Sequence, residues 1–192
     1  VALSIAPDKV VSNITSDLNE FTYGQQINLT GTFTLADKQP VAALPVHVEV
    51  KAAADLNWRE ISLIKTGIDG KVVLPIYLGQ SQSIRLRSDG TWDRLEGISN
   101  EQVLKVKPQI KISAPVSASA NSKVVITGKV NPGKSVPVIL ERFDGKWSQI
   151  GATVTDDAGA YAFNYAVGIS PFLTLRVSSS GSSSATVTLA IR

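Results

Sequence analysis

The sequence contains an internal repeat, and this repeat limits the chain to folds that can be built twice. Residues 29–33 (LTGTF) match residues 126–130 (ITGKV), and residues 44–49 (LPVHVE) match residues 136–141 (VPVILE). Further matches follow in the same order: Trp58 with Trp147, Thr66 with Thr155, Gly70 with Gly159, residues 84–87 (IRLR) with residues 173–176 (LTLR), and Leu104 with Leu189. Because self-similarity in a fixed order marks repeated structural units, we expect two copies of one fold.

Each repeat consists of short segments in which apolar residues take every second position. Val136, Val138 and Leu140 follow this spacing, which is the period of a strand with one buried face. Turn-forming pairs such as Asp144-Gly145 separate the segments. About seven short strands, with turns every 8 to 12 residues or so, are typical of a β-sandwich. We therefore predict an all-β chain of two tandem immunoglobulin-like (fibronectin III-like) β-sandwich domains.

We place the domain boundary at Lys107-Pro108, where the last apolar segment of the first repeat ends. Residues 1–107 are then an immunoglobulin-like domain with longer loops, and residues 108–192 are a second such domain. Residues 1–5 are predicted to form a first strand, and residues 10–21 an insert without a counterpart in the second repeat. The predicted buried positions are Leu29, Val46, Val48, Leu74 and Leu86 in the first domain, and Ile126, Val138, Leu140, Phe163 and Leu175 in the second.

Three motifs of the second repeat point to a family: residues 145–150 (GKWSQI), residues 155–163 (TDDAGAYAF) and residues 173–177 (LTLRV). Together they resemble the immunoglobulin-like repeats of bacterial secreted and cell-surface proteins, especially actinobacterial ones. The first repeat follows the pattern less closely, with Val72 and Leu74 where the second has aromatic residues. The resemblance implies an extracellular or cell-surface location, and a role as stalk, adhesive module or appendage of a wall-directed enzyme.

The sequence offers little for catalysis. His47 is the only histidine, the chain has no cysteine, and His47 stands between Val46 and Val48 on a predicted strand. If the two valines are buried, the histidine ring points to solvent. One histidine without cysteine leaves neither a nucleophile triad nor a set of transition-metal ligands. We predict no catalytic residue, no metal site and no cofactor, and we expect that the chain is not an enzyme.

The adjacent carboxylates Asp156 and Asp157 have two possible roles. They precede Gly159, where an aspartate side chain can hydrogen-bond its own backbone and shape a turn. They could instead bind calcium, but one loop supplies too few of the roughly six to eight oxygens that this ion takes. The turn-shaping role is the favoured interpretation.

Charge and hydropathy restrict the partners. The 19 lysines and arginines exceed the 16 acidic residues by only three, and they are scattered, so we expect no nucleic-acid partner. No apolar run approaches the roughly 20 residues of a membrane helix, so we expect no membrane insertion. Because the chain has no methionine, we also expect flanking domains in a longer protein.

The three tryptophans divide into a pair and a single residue. Trp58 and Trp147 are equivalent in the repeat, which predicts a common packing role. Trp92 lies in residues 89–97 (DGTWDRLEG), whose counterpart in the second repeat is a run of serines. Tryptophan and arginine dominate binding hot spots, so Trp92, Asp93 and Arg94 are the candidate ligand-binding residues. The alternative is that Trp92 covers the open end of its own sandwich.

Two functions are compatible with these observations. The first is a noncatalytic spacer or adhesive module of a secreted or cell-surface bacterial protein, contacting cell-wall glycan or another surface protein. The second is a carbohydrate- or cell-wall-binding accessory module of a larger hydrolase, in which Trp92 would stack on a sugar. An enzyme within these residues is the third class, and the missing histidine, cysteine and metal constellation argues against it.

Overall fold

The computed structural model describes residues 6–192, in which the regular elements are β-strands. The chain divides into two compact units, Val1–Val106 (unit 1) and Lys107–Arg192 (unit 2). Within the described residues there is no helix long and apolar enough to cross a membrane. The strand predicted at residues 1–5 lies outside the described residues.

Unit 1 consists of two sheets. Its strands are β1 (Val10–Ser16), β2 (Glu20–Thr22), β3 (Ile27–Leu35), β4 (Pro45–Ala52), β5 (Arg59–Lys65), β6 (Lys71–Ile76), β7 (Gln82–Ser88), β8 (Gly97–Ile98) and β9 (Gln102–Lys107). The smaller sheet has the order β1-β3-β6, and the larger has the order β2-β9-β7-β4-β5, with β8 paired to β7.

Unit 2 repeats this topology strand for strand. Its strands are β10 (Gln109–Ser113), β11 (Ser117–Ala118), β12 (Lys123–Asn131), β13 (Pro137–Phe143), β14 (Trp147–Val154), β15 (Ala160–Ala166), β16 (Phe172–Ser179), β17 (Ser182–Ser183) and β18 (Val187–Ile191). The orders are β10-β12-β15 and β11-β18-β16-β13-β14, with β17 paired to β16. The predicted fold class, two tandem immunoglobulin-like β-sandwich domains, is confirmed.

A hydrophobic core lies between the two sheets of each unit. In unit 1 the smaller sheet contributes Ile14 and Phe33, and the larger sheet contributes Val48, Leu86 and Leu104. Unit 2 buries its own cluster of strand residues in the same way. Since alternate side chains of a strand point to one face, the alternation in the sequence is what fills both cores. The predicted core positions are buried, except Leu74, which is partly buried and packs against the core of unit 1.

A buried threonine fixes the same connection in both units. The hydroxyl of Thr66 donates to the carbonyl of Val41 (2.6 Å) and accepts the amide of Leu44 (2.9 Å). In unit 2 the hydroxyl of Thr155 donates to a carbonyl of the same connection and accepts the amide of Val136 (3.0 Å). A buried hydroxyl with both roles filled ties the segment before β4 or β13 to the end of the neighbouring strand.

The prediction that residues 10–21 are an insert is wrong. Val10–Ser16 is β1, which pairs antiparallel with β3, and β10 pairs with β12 in the same manner. The strand β2 adjoins β9 just as β11 adjoins β18. In VVSNITS the buried residues are Val10 and Ile14, with Ser12 between them, whereas QIKIS has Ile110 and Ile112. The two sequences share too little for residue-by-residue matching to detect their equivalence.

One match of the repeat is displaced by two residues. Glu49 lies opposite Arg85, and Glu141 lies opposite Arg176, so Arg176 corresponds to Arg85 and not to Arg87. A displacement of two leaves every side chain on its original face of the sheet. Alternation therefore could not detect it, although the cross-strand partners change.

Candidate functional site

The units differ in the connection that follows β7 and its equivalent β16. Ser180 and Gly181 alone join β16 to β17, whereas residues 89–96 join β7 to β8. The predicted correspondence with the serine run is therefore confirmed. We call residues 89–97 the Trp92 loop. Loops held at both ends by a rigid sheet can vary in sequence without disturbing the core, and binding residues concentrate on them.

The side chain of Trp92 projects into solvent. The residue is 86% exposed, so its ring does not cover the core, and the capping alternative is wrong. A large aromatic surface left in water gains nothing from folding, since hydrophobic stabilisation requires burial. The role of Trp92 in binding stays a prediction.

The backbone around Trp92 is held by hydrogen bonds. The amide of Thr91 donates to the carbonyl of Arg94 (2.8 Å), which closes the tip of the loop. The amide of Asp8 donates to the carbonyl of Asp93 (2.8 Å), and the carbonyl of Asp8 accepts the amide of Leu95 (2.9 Å). The segment before β1 therefore lies alongside the Trp92 loop and supports it.

The structure brings the other two predicted binding residues together. The hydroxyl of Thr91 donates to Asp93 Oδ1 (2.6 Å), and Arg94 Nε lies 3.5 Å from Asp93 Oδ2. The hydrogen bond from Thr91, with the charge of Arg94, holds the pKa of Asp93 below its usual range. Arg94 Nε is buried and has no hydrogen-bond partner within residues 6–192. Because it is shielded from solvent and lies beside the Asp93 carboxylate, this N–H belongs to the internal contacts of the loop.

A cleft of about 280 Å³ adjoins the Trp92 loop. One wall is formed by residues 42–45 (AALP), and the other is formed by Asp89, Thr91 and Arg94. The first wall is apolar, and the second carries carboxylate, hydroxyl and guanidinium groups. Such a combination can hold a small polar ligand by packing on one side and hydrogen bonding on the other.

The base of the loop is joined to the larger sheet by four charged side chains, which we call the His47 cluster: His47, Glu60, Arg87 and Asp89. His47 Nδ1 lies 2.7 Å from Glu60 Oε2, and His47 Nε2 lies 2.9 Å from Asp89 Oδ2. Arg87 pairs with Asp89 through Nη1 and with Glu49 through Nε at 2.9 Å. The first residue of the loop is therefore held by two cations of the sheet.

The predicted exposure of His47 is wrong in degree. The ring is on the outer face of the sheet, opposite the buried Val46 and Val48, as the alternation indicated. Its side chain is only 15% exposed, because Glu60 and Asp89 flank it. The sequence does show a run of outward-facing charged residues on β7 and at the start of the loop. Which of them contact His47 depends on the order of the strands, which the sequence does not specify.

These contacts shift the protonation of the cluster. The hydrogen bond to Glu60, followed by that to Asp89, raises the pKa of His47 above its ordinary value, against the opposing effects of burial and of the Arg87 charge. The hydrogen bonds from His47 and Arg87 hold the pKa of Asp89 below its usual range. The arrangement therefore favours a cationic imidazole between two carboxylates.

The paired tryptophans have the common packing role that the repeat predicted. The guanidinium of Arg85 lies 4.3 Å from the ring centroid of Trp58, and that of Arg176 lies 4.2 Å from that of Trp147. Each arginine also binds a glutamate of the neighbouring strand, at 2.7 Å and 2.8 Å. The stacked tryptophans belong to the outer surface of the larger sheets in both units and do not distinguish a binding site.

Asp156 shapes its turn. Its Oδ1 accepts the amides of Ala158 and Ala160, both at 2.8 Å, and Asp157 pairs instead with Lys134 at 3.3 Å. Across residues 6–192, histidines and carboxylates form no group of three or more that could hold a metal ion.

No protein-family model matches the chain, and no curated protein matches it. The solved structures that it partly resembles include a tetra-tandem repeat from the extending region of a large adhesion protein, with 14% identity and a TM-score of 0.44 over 96% of this chain and 48% of that chain. The D0-D1 domain of intimin has 17% identity and a TM-score of 0.37, over 93% of this chain and 97% of that one.

An adhesin of Yersinia pseudotuberculosis has 13% identity and a TM-score of 0.41, over 94% of this chain and 58% of the adhesin chain. The chain thus spans about half the length of the tetra-tandem repeat. At these TM-scores the likenesses carry no argument about function.

Proposed function

We propose that the chain is a noncatalytic spacer or adhesive module of a secreted or cell-surface bacterial protein, and that the Trp92 loop is its contact surface. The observation that supports this most directly is the contrast between two copies of one scaffold. One copy closes the loop with Ser180 and Gly181, and the other presents a tryptophan that is 86% exposed. The surface location is supported by the resemblance of residues 145–163 to bacterial surface repeats.

The noncatalytic role is supported by the state of the only histidine. Both ring nitrogens of His47 face carboxylate oxygens at hydrogen-bond distance. A general base needs one nitrogen directed at the hydroxyl or thiol that it deprotonates. His47 instead serves as a cation between Glu60 and Asp89.

Binding through Trp92 is supported by its surroundings as well as by its exposure. Residues such as tryptophan supply large contact areas with few rotatable bonds, and they form the centres of many interfaces. The hydrogen bonds of Thr91 and Asp8 order the loop before any partner arrives, which lowers the entropic cost of binding.

A second candidate function is a carbohydrate- or cell-wall-binding accessory module of a larger hydrolase. The cleft of about 280 Å³ that Asp89, Thr91 and Arg94 of the Trp92 loop line favours it. A sugar ring can stack its C–H face on an indole while its hydroxyls bond to Asp89, Thr91 and Arg94. In this candidate the Trp92 loop is again the contact surface, and only the partner differs.

The test compares Trp92→Ala with Phe172→Ala, which removes an exposed aromatic residue from unit 2. We expect Trp92→Ala to weaken binding to intact bacterial cells by about 30-fold or more, as for a hot-spot residue. The melting temperature should not change, since the indole is exposed. Phe172→Ala should bind like the unsubstituted chain.

Pretreating the cells separates the two candidates. Binding that is lost after protease treatment supports an adhesive module with a protein partner. Binding that is lost after periodate oxidation supports the carbohydrate-binding module. Full binding by Trp92→Ala would show that the Trp92 loop is not the contact surface.

A further inference from the structure

The geometry around His47 requires a particular charge state. Its two ring nitrogens lie 2.7 Å from Glu60 Oε2 and 2.9 Å from Asp89 Oδ2. A neutral imidazole has one N–H donor and one lone pair, so either tautomer directs a lone pair at a carboxylate oxygen. Only the imidazolium donates to both. With both carboxylates ionised, the two short contacts therefore fit a protonated histidine.

The charged groups around the ring come from three directions. Glu60 belongs to β5, Asp89 follows β7, and Arg87 is the cross-strand neighbour of His47 on β7. Arg87 is itself paired with Glu49 on β4, and it lies 3.6 Å from Glu96 at the far end of the Trp92 loop. Glu49 is shared with Arg85 at 2.7 Å, so four carboxylates accompany three cations. The two carboxylates that contact the ring, Glu60 and Asp89, favour keeping the proton on His47.

Asp89 and Glu96 are at opposite ends of the connection that carries Trp92. Both are held from the sheet, Asp89 by His47 and Arg87, and Glu96 by Arg87. Loss of the imidazolium removes one of the two cations that hold Asp89 and leaves excess negative charge at the base of the loop. The position of the loop is thereby linked to the proton on His47.

We propose that His47 is the positioning residue of the Trp92 loop and holds it to the sheet only in the imidazolium form. Deprotonation loosens the loop from its base. We also expect partner binding to weaken with rising pH, and this expectation rests on the proposed function. The movement of the loop does not depend on it.

The sign of the pH dependence follows from the pKa shifts. His47 has a raised pKa, so its contribution is complete below the ordinary value of about 6.5 and is lost as the pH rises through the folded value. Asp89 has a lowered pKa, so its contribution is complete above its ordinary value of about 3.9 and is lost as the pH falls further. The loop is held best between these two limits.

The test uses the full chain, in which one histidine gives one imidazole signal in the proton NMR spectrum. We expect that signal to titrate with a pKa above that of a free histidine. The pKa should be lower in Glu60→Gln and in Asp89→Asn, because each removes one carboxylate partner. The backbone amides of Thr91 and Leu95 should shift with the same midpoint.

The controls are in the same spectrum and the same fold. Ser180 and Gly181 occupy the equivalent turn of unit 2, and their amides should not follow the titration. In His47→Gln the Thr91 and Leu95 amides should no longer titrate near neutral pH. Ile139 takes the equivalent position in unit 2, so the scaffold tolerates a residue that does not titrate there.

Hydrogen exchange measures the loosening itself. We expect protection of the Leu95 amide, corrected for intrinsic rate, to fall about threefold between pH 5 and pH 8, the scale of one partly exposed ion pair. An ordinary pKa for His47, or loop amides that ignore its titration, would overturn the proposal. If the loop titrates and the chain binds cells at neither pH, the proposed function fails while this inference stands.

Discussion

The outer faces of the two larger sheets differ, although the cores beneath them correspond. In unit 1, His47 and Arg87 extend over the face and bind the base of the Trp92 loop. In unit 2 the equivalent positions are Ile139 and Ser178, which line an open hollow of about 290 Å³. The hollow continues to the short serine turn that replaces the loop.

This difference shows which parts of the repeat are constrained by folding. The buried apolar positions occur in both units because removing them leaves cavities. The buried hydroxyls of Thr66 and Thr155 occur in both because removing them leaves backbone amides unpaired. The outer face keeps the stacked tryptophan and arginine in both copies. Beside the loop it has diverged, with the cations His47 and Arg87 in one copy and Ile139 and Ser178 in the other. Function is therefore expected where the copies differ.

The largest effect is expected from a substitution that opens a cavity in the core of one unit, because it shows whether the two units unfold separately. Leu140 is buried in unit 2, and we expect Leu140→Ala to lower the free energy of unfolding of that unit by about 3 kcal/mol. Hydrogen exchange measured by mass spectrometry on the full chain reports each unit separately. Strands of unit 2 should lose protection, and those of unit 1 should not, if each unit folds on its own.

Ile139→Ala serves as the control, since it shortens the neighbouring side chain on the outer face of β13. It should change the protection of unit 2 far less than Leu140→Ala does. Equal loss of protection in both units after Leu140→Ala would mean that the units unfold together.

A smaller effect is expected from removing the buried hydroxyl of Thr66 or of Thr155. Thr66→Val and Thr155→Val keep the side-chain shape but leave the amides of Leu44 and Val136 without the hydroxyl. Each substitution should cost its unit about 1–3 kcal/mol in urea unfolding. Thr188→Val, at an exposed hydroxyl, should have little effect. Losses of unfolding free energy that differ widely between the two units would show that the two hydroxyls are not equivalent.

Much of the fold could be predicted because a strand has a period of two. The alternation in residues 136–141 predicted buried Val138 and Leu140, and the matched segment predicted Val46 and Val48. The same period explains two errors. It hid the displacement of Arg176 by two residues. It also gave no signal for β1, where Ser12 interrupts the apolar alternation between Val10 and Ile14.

The candidate site was predictable only in part. Trp92 stood out because its loop differs from the serine turn. The sequence left open whether its ring covers the sandwich, and the exposure of the ring emerged only from the structure. The support from His47 was not predictable, since Glu60 and Asp89 reach the ring from β5 and from the end of β7. Contacts across three strands depend on strand order, which the period of two does not specify.

The central claim, that the Trp92 loop is what distinguishes unit 1 functionally, is tested most directly by exchanging the loop. Residues 89–96 would be replaced by the Ser-Gly pair that joins β16 to β17, keeping Ser88 and Gly97 at the ends. Binding to intact bacterial cells would be measured alongside thermal unfolding. We predict a cooperatively folded chain that has lost binding. Binding equal to that of the unsubstituted chain, by a protein that still folds, would contradict the claim.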